Sequence, residues 1–544
     1  MGIYLNPGND EFYNAVKKSK IYVDKTELLR FTNSVLFGEH RNICVSRPRR
    51  FGKSMAANML VAYYCKNCDS RGLFSGLKIA EDETFEKHLN KYNVIHINMQ
   101  QFVSRTENIK EMLSFISKKV TRELKREFKD VEYYEEDLVS VLEEIYSQKK
   151  SKFIFIIDEW DCVFRVGQET NSSYKLYLDF LRDMLKNQPY VALAYMTGIL
   201  PIKKYGEHSA LNMFDEYSMT NQRELAEFTG FTEEEVKQLC VQYDMPYEKM
   251  KQWYDGYELK GVQIYNPRSV VMSLLGHDFD SYWTKTETYE ALKKYIQLDM
   301  YNLKALVTRL IAGESVPVNP DKFQNDMTTL ESADDVLTLL VHLGYLTYDF
   351  YNQKDTIPNQ EVQKEFINCI EDGGWEPVMD AIRSSDELLS VTLDGDEEKV
   401  ASMIEQAHQE NTSILKYNDE NALACVISLA YYSAKKDYSI FRELAGGKGY
   451  ADMVFVPRSN VNKPAMIVEL KWNKTASAAI EQIKNRQYIE SLKGYSGEVV
   501  LVGINYDDGE FKKHVCRIDK VKKRKIGAIC RFVYDRKMPD DFLD

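Results

Sequence analysis

Gly52-Lys53-Ser54 is the stretch of this sequence whose chemistry reads most directly. It follows the apolar run Asn42-Ile43-Cys44-Val45 and opens a segment of helical character. In such a strand–loop–helix setting, backbone N–H groups at the helix start point at phosphate oxygens, and the helix dipole favours the anion. Lys53 would reach the β- and γ-phosphates of a nucleoside triphosphate, and Ser54 would ligate magnesium. The general pattern places a glycine where this chain has Arg47, so the loop is basic instead of glycine-rich. Downstream, the apolar run Phe153 to Ile157 ends in Asp158-Glu159. A carboxylate at the carboxyl end of a parallel strand faces the ligand crevice. Asp158 is expected to hold magnesium through water, and Glu159 to orient or activate the attacking water. Thr197 ends another strand and is a candidate for sensing the γ-phosphate. A chance Gly-Lys-Ser at a helix cap and an Asp-Glu pair capping a helix are the plain alternatives. The joint presence of strand, helix and acidic strand outweighs them. The expected nucleotide contacts are Arg47, Arg49, Arg50, Phe51, Gly52, Lys53, Ser54, Asp158 and Thr197, with ATP and Mg2+ as cofactors.

A second set of residues lies near the other end. Asp452 begins an apolar strand, and Glu469-Leu470-Lys471 ends another. Side chains alternate faces in a strand, so Glu469 and Lys471 should share one face while Leu470 enters the core. Two carboxylates and a lysine on neighbouring strands can hold magnesium at Asp452 and Glu469 and stabilise hydroxide attack on a phosphodiester. Surface charges at strand ends are the plain alternative. The basic run Lys512, Lys513, Arg517, Lys520, Lys522, Lys523, Arg524 and Lys525 reads equally as a solvated face or as a track for a phosphate backbone.

Several of these motifs carry a family resemblance. Arg47-Pro48-Arg49-Arg50-Phe51-Gly52-Lys53-Ser54 looks like the AAA-ATPase-like family of bacterial proteins. So do Ile156-Ile157-Asp158-Glu159-Trp160-Asp161, Thr197-Gly198-Ile199, Trp253-Tyr254-Asp255-Gly256-Tyr257, Tyr265-Asn266-Pro267 and Tyr282-Trp283, which occur in the family's order over roughly residues 1–285. In that family arginine at position 47 is the rule. The resemblance names no arginine finger, and Arg268 is only a candidate. Asp452 followed by Glu469-Leu470-Lys471 resembles the PD-(D/E)XK nuclease superfamily. Glu420 on the preceding helix, the turn Gly446-Gly447-Lys448-Gly449, and Gln482 and Tyr488 on the following helix fit it as accessory features. Tyr450 stands where that superfamily often has arginine. The resemblance implies catalytic roles for Glu159, Asp452, Glu469 and Lys471. Both an active nuclease and a folded, inactive relative fit it.

The elements that must position these residues follow from periodicity. Short apolar runs at Asn42–Val45, Val94–Ile97, Phe153–Ile157 and Val191–Met196 alternate with helical segments such as Ile109–Phe128 and Tyr134–Tyr146. That pattern predicts a parallel sheet with helices on both faces. From about Arg223 to Leu415 helical spacing dominates, as in Thr232–Tyr243 and Ala333–Leu346. Beyond Asn418 come a helix (Glu420–Lys435), strands Ala451–Val456 and Ala465–Lys471, a helix (Ala476–Leu492) and a strand (Val499–Ile504). The expected fold class is α/β: a P-loop NTPase parallel sheet over residues 1–222, a mainly helical lid and linker over 223–415, and a small restriction-endonuclease-like α/β domain over 416–535.

Composition narrows the class. The chain has 544 residues and a net charge of -12, which argues against coating nucleic acid over the whole surface and leaves room for a local basic site. No apolar run reaches the roughly 18 residues needed to span a bilayer. The first residues resemble neither a signal peptide nor a myristoylation site. The nine cysteines read as reduced thiols in a cytoplasm. Cys65-Lys66-Asn67-Cys68 is the one close pair and lacks the further ligands of a zinc site. The expected partners are ATP and either DNA or RNA, with a homo-oligomer left open and no membrane. The competing expectations are an ATPase coupled to a metal-dependent nuclease, an ATP-operated switch or scaffold whose nuclease-like domain only binds, and a motor or remodelling ATPase acting on protein.

Overall fold

Continuous apolar strands need cover on both faces, and the first sheet has it. A computed structural model describes residues 2–166, 170–202, 211–221, 224–259, 261–283, 293, 302–323, 330–415, 420–446, 449–458, 461–492, 495–507 and 513–523. Strands β1 (Asn42–Ser46), β2 (Asn93–Asn98), β3 (Phe153–Asp158), β4 (Val191–Gly198) and β5 (Asp215–Tyr217) form one sheet in the order β2-β3-β4-β1-β5. All its pairings are parallel. Every residue of β1, β3 and β4 is buried. Helix Lys53–Tyr64 packs against β2, β3 and β4. The edge strand β5, Asp215-Glu216-Tyr217, pairs only with β1 and carries no apolar run, so periodicity did not reveal it.

Helix ends follow local capping chemistry. Helix Ile109–Glu127 starts where Asn108 accepts a hydrogen bond from the Glu111 amide. The next helix is Leu138–Lys149, four residues later than its expected start, because the Asp137 side chain accepts from the Ser140 amide and fixes the cap there. Helix Glu233–Gln242 opens on a capping box formed by Thr232 and Glu235. Helix Ala333–Leu343 stops at Gly344.

The middle of the chain is mainly helical, with two small antiparallel sheets that the sequence reading missed. One orders β6 (Phe231–Thr232), β7 (Tyr257–Leu259) and β8 (Val262–Tyr265) as β6-β8-β7. The other orders β9 (Val316–Pro317), β10 (Thr347–Asp349) and β11 (Lys354–Thr356) as β10-β11-β9. Strands of two to four residues are too short to display a period. Met1–Leu306 with Ser315–Cys369 makes one compact unit, and Val307–Glu314 with Ile370–Asp544 makes another.

The second unit is built on a mixed sheet, β12-β13-β14-β15-β16. Its strands are β12 (Tyr438–Gly446), β13 (Gly449–Pro457), β14 (Ala465–Trp472), β15 (Gly497–Asp507) and β16 (Lys513–Lys523). Only β14 and β15 are parallel. Helices Glu420–Ala430 and Ala476–Asn485 pack against β14. Helix Glu397–Leu415, grouped with the middle region by sequence, packs against β16 and helix Glu420–Ala430. In the turn between β12 and β13, Gly446 pairs with Gly449, while Gly447 and Lys448 lie outside the described residues. Much of the basic run is the outer strand β16. Arg517 on it pairs with Glu397 at 2.6 Å, and lysines on an edge strand discourage pairing with other chains. Lys512, Arg524 and Lys525 lie outside the described residues.

Candidate functional site

The loop between β1 and helix Lys53–Tyr64 is shaped by one glycine and one buried lysine. Gly52 caps the helix at φ 87°, a left-handed backbone that suits glycine. Lys53 follows as the first helical residue and is buried. Its ammonium donates to the carbonyls of Arg47 and Pro48, each at 2.9 Å, closing the loop on itself. Burial pushes this ammonium below the usual lysine range, against the pull of Glu159, Asp161 and Asp158.

Asp158, at the end of β3, gathers the rest. Its Oδ2 accepts from Ser54 Oγ at 2.7 Å and from Asn98 Nδ2 at 3.4 Å. Its Oδ1 accepts from the Glu159 amide at 3.1 Å and from the Thr197 hydroxyl. Lys53, Ser54 and Glu159 line a cavity of about 1370 Å³. Arg49, Arg50, Phe51, Gly52 and Arg268 border it too, and so does Asn98 at the end of β2, which the sequence gave no reason to select.

Two of the expected nucleotide contacts, like Asp158 itself, lie behind the cavity wall. Arg47 is buried and does not border the cavity: its guanidinium donates to the carbonyls of Ser46 at 3.0 Å and Tyr217 at 2.8 Å. Burial lowers its pKa to about 10. It acts as a tie between β1 and β5 through those two carbonyls. Thr197 is likewise buried, and its hydroxyl is engaged by Asp158.

Residues beyond the sheet brace the loop. Trp283 Nε1 donates to the Arg49 carbonyl at 3.0 Å, and the Gly230 amide donates to the Phe51 carbonyl at 2.8 Å. The Phe51 ring meets Tyr257 edge-on, and Tyr257 donates to the Gly344 carbonyl at 2.6 Å. A Cβ on Gly344 would come within 2.8 Å of Pro48 and 3.1 Å of Trp283, so only glycine permits this approach. Glu361 holds in place the strap formed by Tyr282 and Trp283. Its carboxylate accepts from the amides of Tyr282 at 2.6 Å and Trp283 at 2.7 Å and from Ser269 Oγ at 2.7 Å.

In the second unit the expected triad converges. Glu469 and Lys471 share a face, and Lys471 Nζ lies 2.9 Å from Glu469 Oε1. That face is covered, so both residues are buried. Asp452 Oδ2 accepts from the Leu470 amide at 2.6 Å. Gln482 donates to Glu469 Oε1 and to the Tyr488 hydroxyl at 3.3 Å, so these two accessory residues belong to the cluster. Glu420 begins its helix, but its side chain lies outside the described residues. Glu469 Oε2 is buried with no hydrogen-bond partner among the described residues. Burial, then the neighbouring Asp452 charge, raises the Glu469 carboxyl to about 7 despite Lys471. Among the described residues no group of three His, Cys, Asp or Glu side chains gathers as a metal cluster, and Cys65 and Cys68 are free thiols.

Comparison with known proteins matches both domains. Residues 7–206 match the family described as "Predicted AAA-ATPase", and residues 418–515 match the "PD-(D/E)XK nuclease superfamily". A protein of Azotobacter chroococcum mcd 1, named "Uncharacterized protein in vnfD 5'region", is 22% identical over 287 residues, 49% of this chain and 51% of that protein. The chain thus spans about half the length of the curated relative it matches. Among solved structures, the Walker-type ATPase PABY2304 of Pyrococcus abyssi matches with a TM-score of 0.33 and 15% identity, covering 63% of this chain and 94% of the other. The ORC2 protein of Aeropyrum pernix matches with a TM-score of 0.28 and 11% identity, covering 65% and 97%. Similarity at this level bears on no function. No helix among the described residues is long and apolar enough to cross a membrane.

The strap generates a pH prediction. Burial outweighs the three donors and raises the Glu361 carboxyl to about 7. A folded-state pKa raised above the unfolded value gives stability that is present below the unfolded pKa and lost as pH rises through about 7. The stability difference between the parent and Glu361→Gln should therefore shift against the parent by roughly 1–3 kcal/mol between about pH 5 and pH 8. Denaturant titrations of both proteins across that range measure it. Parallel pH curves would show that Glu361 does not titrate there.

Proposed function

We propose that this chain, an AAA-ATPase-like domain at residues 7–206 joined to a PD-(D/E)XK nuclease-superfamily domain at residues 418–515, binds and hydrolyses ATP with magnesium and cleaves nucleic acid. The observation that carries the reading is that Lys53 and Ser54 line one cavity while Ser54 bonds to Asp158 just behind it, at the carboxyl ends of β1 and β3. In functional terms residues 1–222 bind nucleotide, 223–415 act as lid and linker, and 416–535 act on the phosphodiester.

The donor sets fit magnesium. This ion takes one or two carboxylates together with phosphate oxygens and waters, so a cluster of three acids is not required. Ser54 Oγ and Asp158 Oδ2 would hold it at the first site, and Asp452 with the orphaned Glu469 Oε2 at the second. Bound magnesium neutralises phosphate charge and, at the second site, polarises water and the scissile phosphate. Lys53 exchanges the Arg47 and Pro48 carbonyls for β- and γ-phosphate oxygens. Arg49, Arg50 and the amides after Phe51 and Gly52 add donors around the phosphates. Glu159 orients the attacking water. In the second domain Lys471 offsets the two carboxylates before substrate arrives and then stabilises charge developing on the phosphate. Gln482 and Tyr488 hold Glu469 in position.

Four variants test this reading. Lys53→Ala should abolish ATP binding while the fold, followed by circular dichroism, survives; unchanged affinity would remove the phosphate-loop assignment. Glu159→Gln should retain ATP binding and slow turnover at least about 30-fold, or ~2 kcal/mol of barrier. Turnover within about twofold of the parent would make Glu159 a structural residue. Cleavage of DNA or RNA should need magnesium or manganese and should vanish in Asp452→Ala and in Lys471→Ala while ATP hydrolysis continues. A parent that cuts neither nucleic acid with any nucleotide or metal would identify an ATP-operated switch whose nuclease-like domain only binds.

A further inference from the structure

The short helix Cys162–Val166, just after Asp158-Glu159, carries a cation with two carboxylate partners. Arg165 Nη2 donates to the Glu159 carboxylate, and Arg165 Nε lies 3.3 Å from Asp161 Oδ2. The Arg165 side chain is only 11% exposed, and Glu159 is 24% exposed. The two partners differ in freedom. Asp161 is fully buried, and its Oδ2 also accepts the amides of Ile199 at 3.1 Å and Leu200 at 2.9 Å. It is pinned to the backbone that follows β4. Among the described residues the Glu159 carboxylate has no such backbone anchor, and Glu159 sits at φ 56°, a left-handed backbone that a glutamate adopts at a cost. Arg165 therefore has one fixed partner and one exchangeable partner. Both Arg165 and Glu159 border the cavity of Lys53 and Ser54.

We propose that Arg165 is a γ-phosphate-sensing residue that restrains Glu159 until a nucleoside triphosphate is bound. The proposal rests on the ATP reading of the Lys53 loop. Without a γ-phosphate, the guanidinium holds the Glu159 carboxylate and keeps it from the attacking water. A γ-phosphoryl group offers the same guanidinium several anionic oxygens in a geometry that suits its planar fork. Arg165 then pivots about its Asp161 contact, takes the phosphate oxygens and releases Glu159 to hold water. A diphosphate has no γ-phosphoryl group and leaves the pair closed. The arrangement discriminates ATP from ADP within a single chain and ties water activation to the presence of the bond to be broken.

The test uses the full chain and measures affinity for ADP and for a non-hydrolysable ATP analogue, with ATP turnover, in the parent, Lys53→Ala, Arg165→Gln, Arg165→Lys and Glu159→Gln. Arg165→Gln should keep ADP affinity within about threefold, weaken the analogue at least tenfold and lower turnover at least 100-fold. Arg165→Lys, which keeps the charge and loses the fork, should fall between. Glu159→Gln frees Arg165 from its competing partner, so it should bind the analogue several-fold more tightly than the parent with ADP unchanged. A purely structural Arg165 would not produce that gain, so this variant decides the matter even if the Arg165 variants fold poorly. Equal losses for ADP and analogue in Arg165→Gln, or no tightening in Glu159→Gln, overturn the sensing role while leaving the phosphate loop intact. A parent that binds neither nucleotide, like Lys53→Ala, overturns both readings.

Discussion

A carboxylate buried at the end of a strand must be satisfied by its neighbours, and Asp158 imposes that requirement on the nucleotide-binding unit. Its two oxygens draw donors from the end of β2 through Asn98, from β4 through Thr197 and from the loop helix through Ser54. The sheet order places β4 between β3 and β1, so Thr197 stands between the acidic strand and the strand that feeds the loop. Losing any one donor would leave charge in a low-dielectric setting, which is why the strand ends are held in a single arrangement. The loop that carries Lys53 is thereby fixed relative to the carboxylates it works with.

The loop itself solves a second problem. It lacks the usual first glycine, yet its backbone still turns sharply, with left-handed conformations at Arg50 and Gly52. Two features offset the strain. Lys53 bonds two loop carbonyls from inside, and Trp283, Gly230, Tyr257 and Gly344 brace it from outside. The bracing residues come from the small sheets and turns of the middle region. Glu361 anchors the strap through three donors while burial favours its protonated form. The strap thus meets the phosphate loop through a direct hydrogen bond, from Trp283 Nε1 to the Arg49 carbonyl.

The second unit shows the same physics with a different balance. Asp158 has enough donors; Glu469 does not. One of its oxygens is held by Lys471 and Gln482, and the other is buried without a hydrogen-bond partner among the described residues, beside Asp452. A buried carboxylate oxygen beside a second carboxylate is costly to the fold. Tyr488 and Gln482 add structure to this arrangement without adding charge.

Sequence alone determined the features that local chemistry controls. The apolar runs of β1 to β4 and β14, the Thr232 capping box, the Gly52 cap and the pairing of Glu469 with Lys471 across Leu470 all follow from spacing within a few residues. The site residues Lys53, Ser54, Asp158 and Glu159 were legible for the same reason, because each sits at the junction of a strand with a loop or helix. Tertiary structure decided what depends on distant neighbours. It turned Arg47 into a tie between strands, since its partners include Tyr217, and it turned Thr197 into a ligand of Asp158. It brought Asn98, Arg165 and Glu361 into use, residues with no local pattern to mark them, and it gave Trp283, marked until then only by the family resemblance, a loop carbonyl to hold. Part of the basic run became an edge strand because β15 offered an open row of backbone groups. Periodicity reports which face of an element is apolar; it carries no information about which element will supply the donor to a buried acceptor, because that choice is made only when the chain packs.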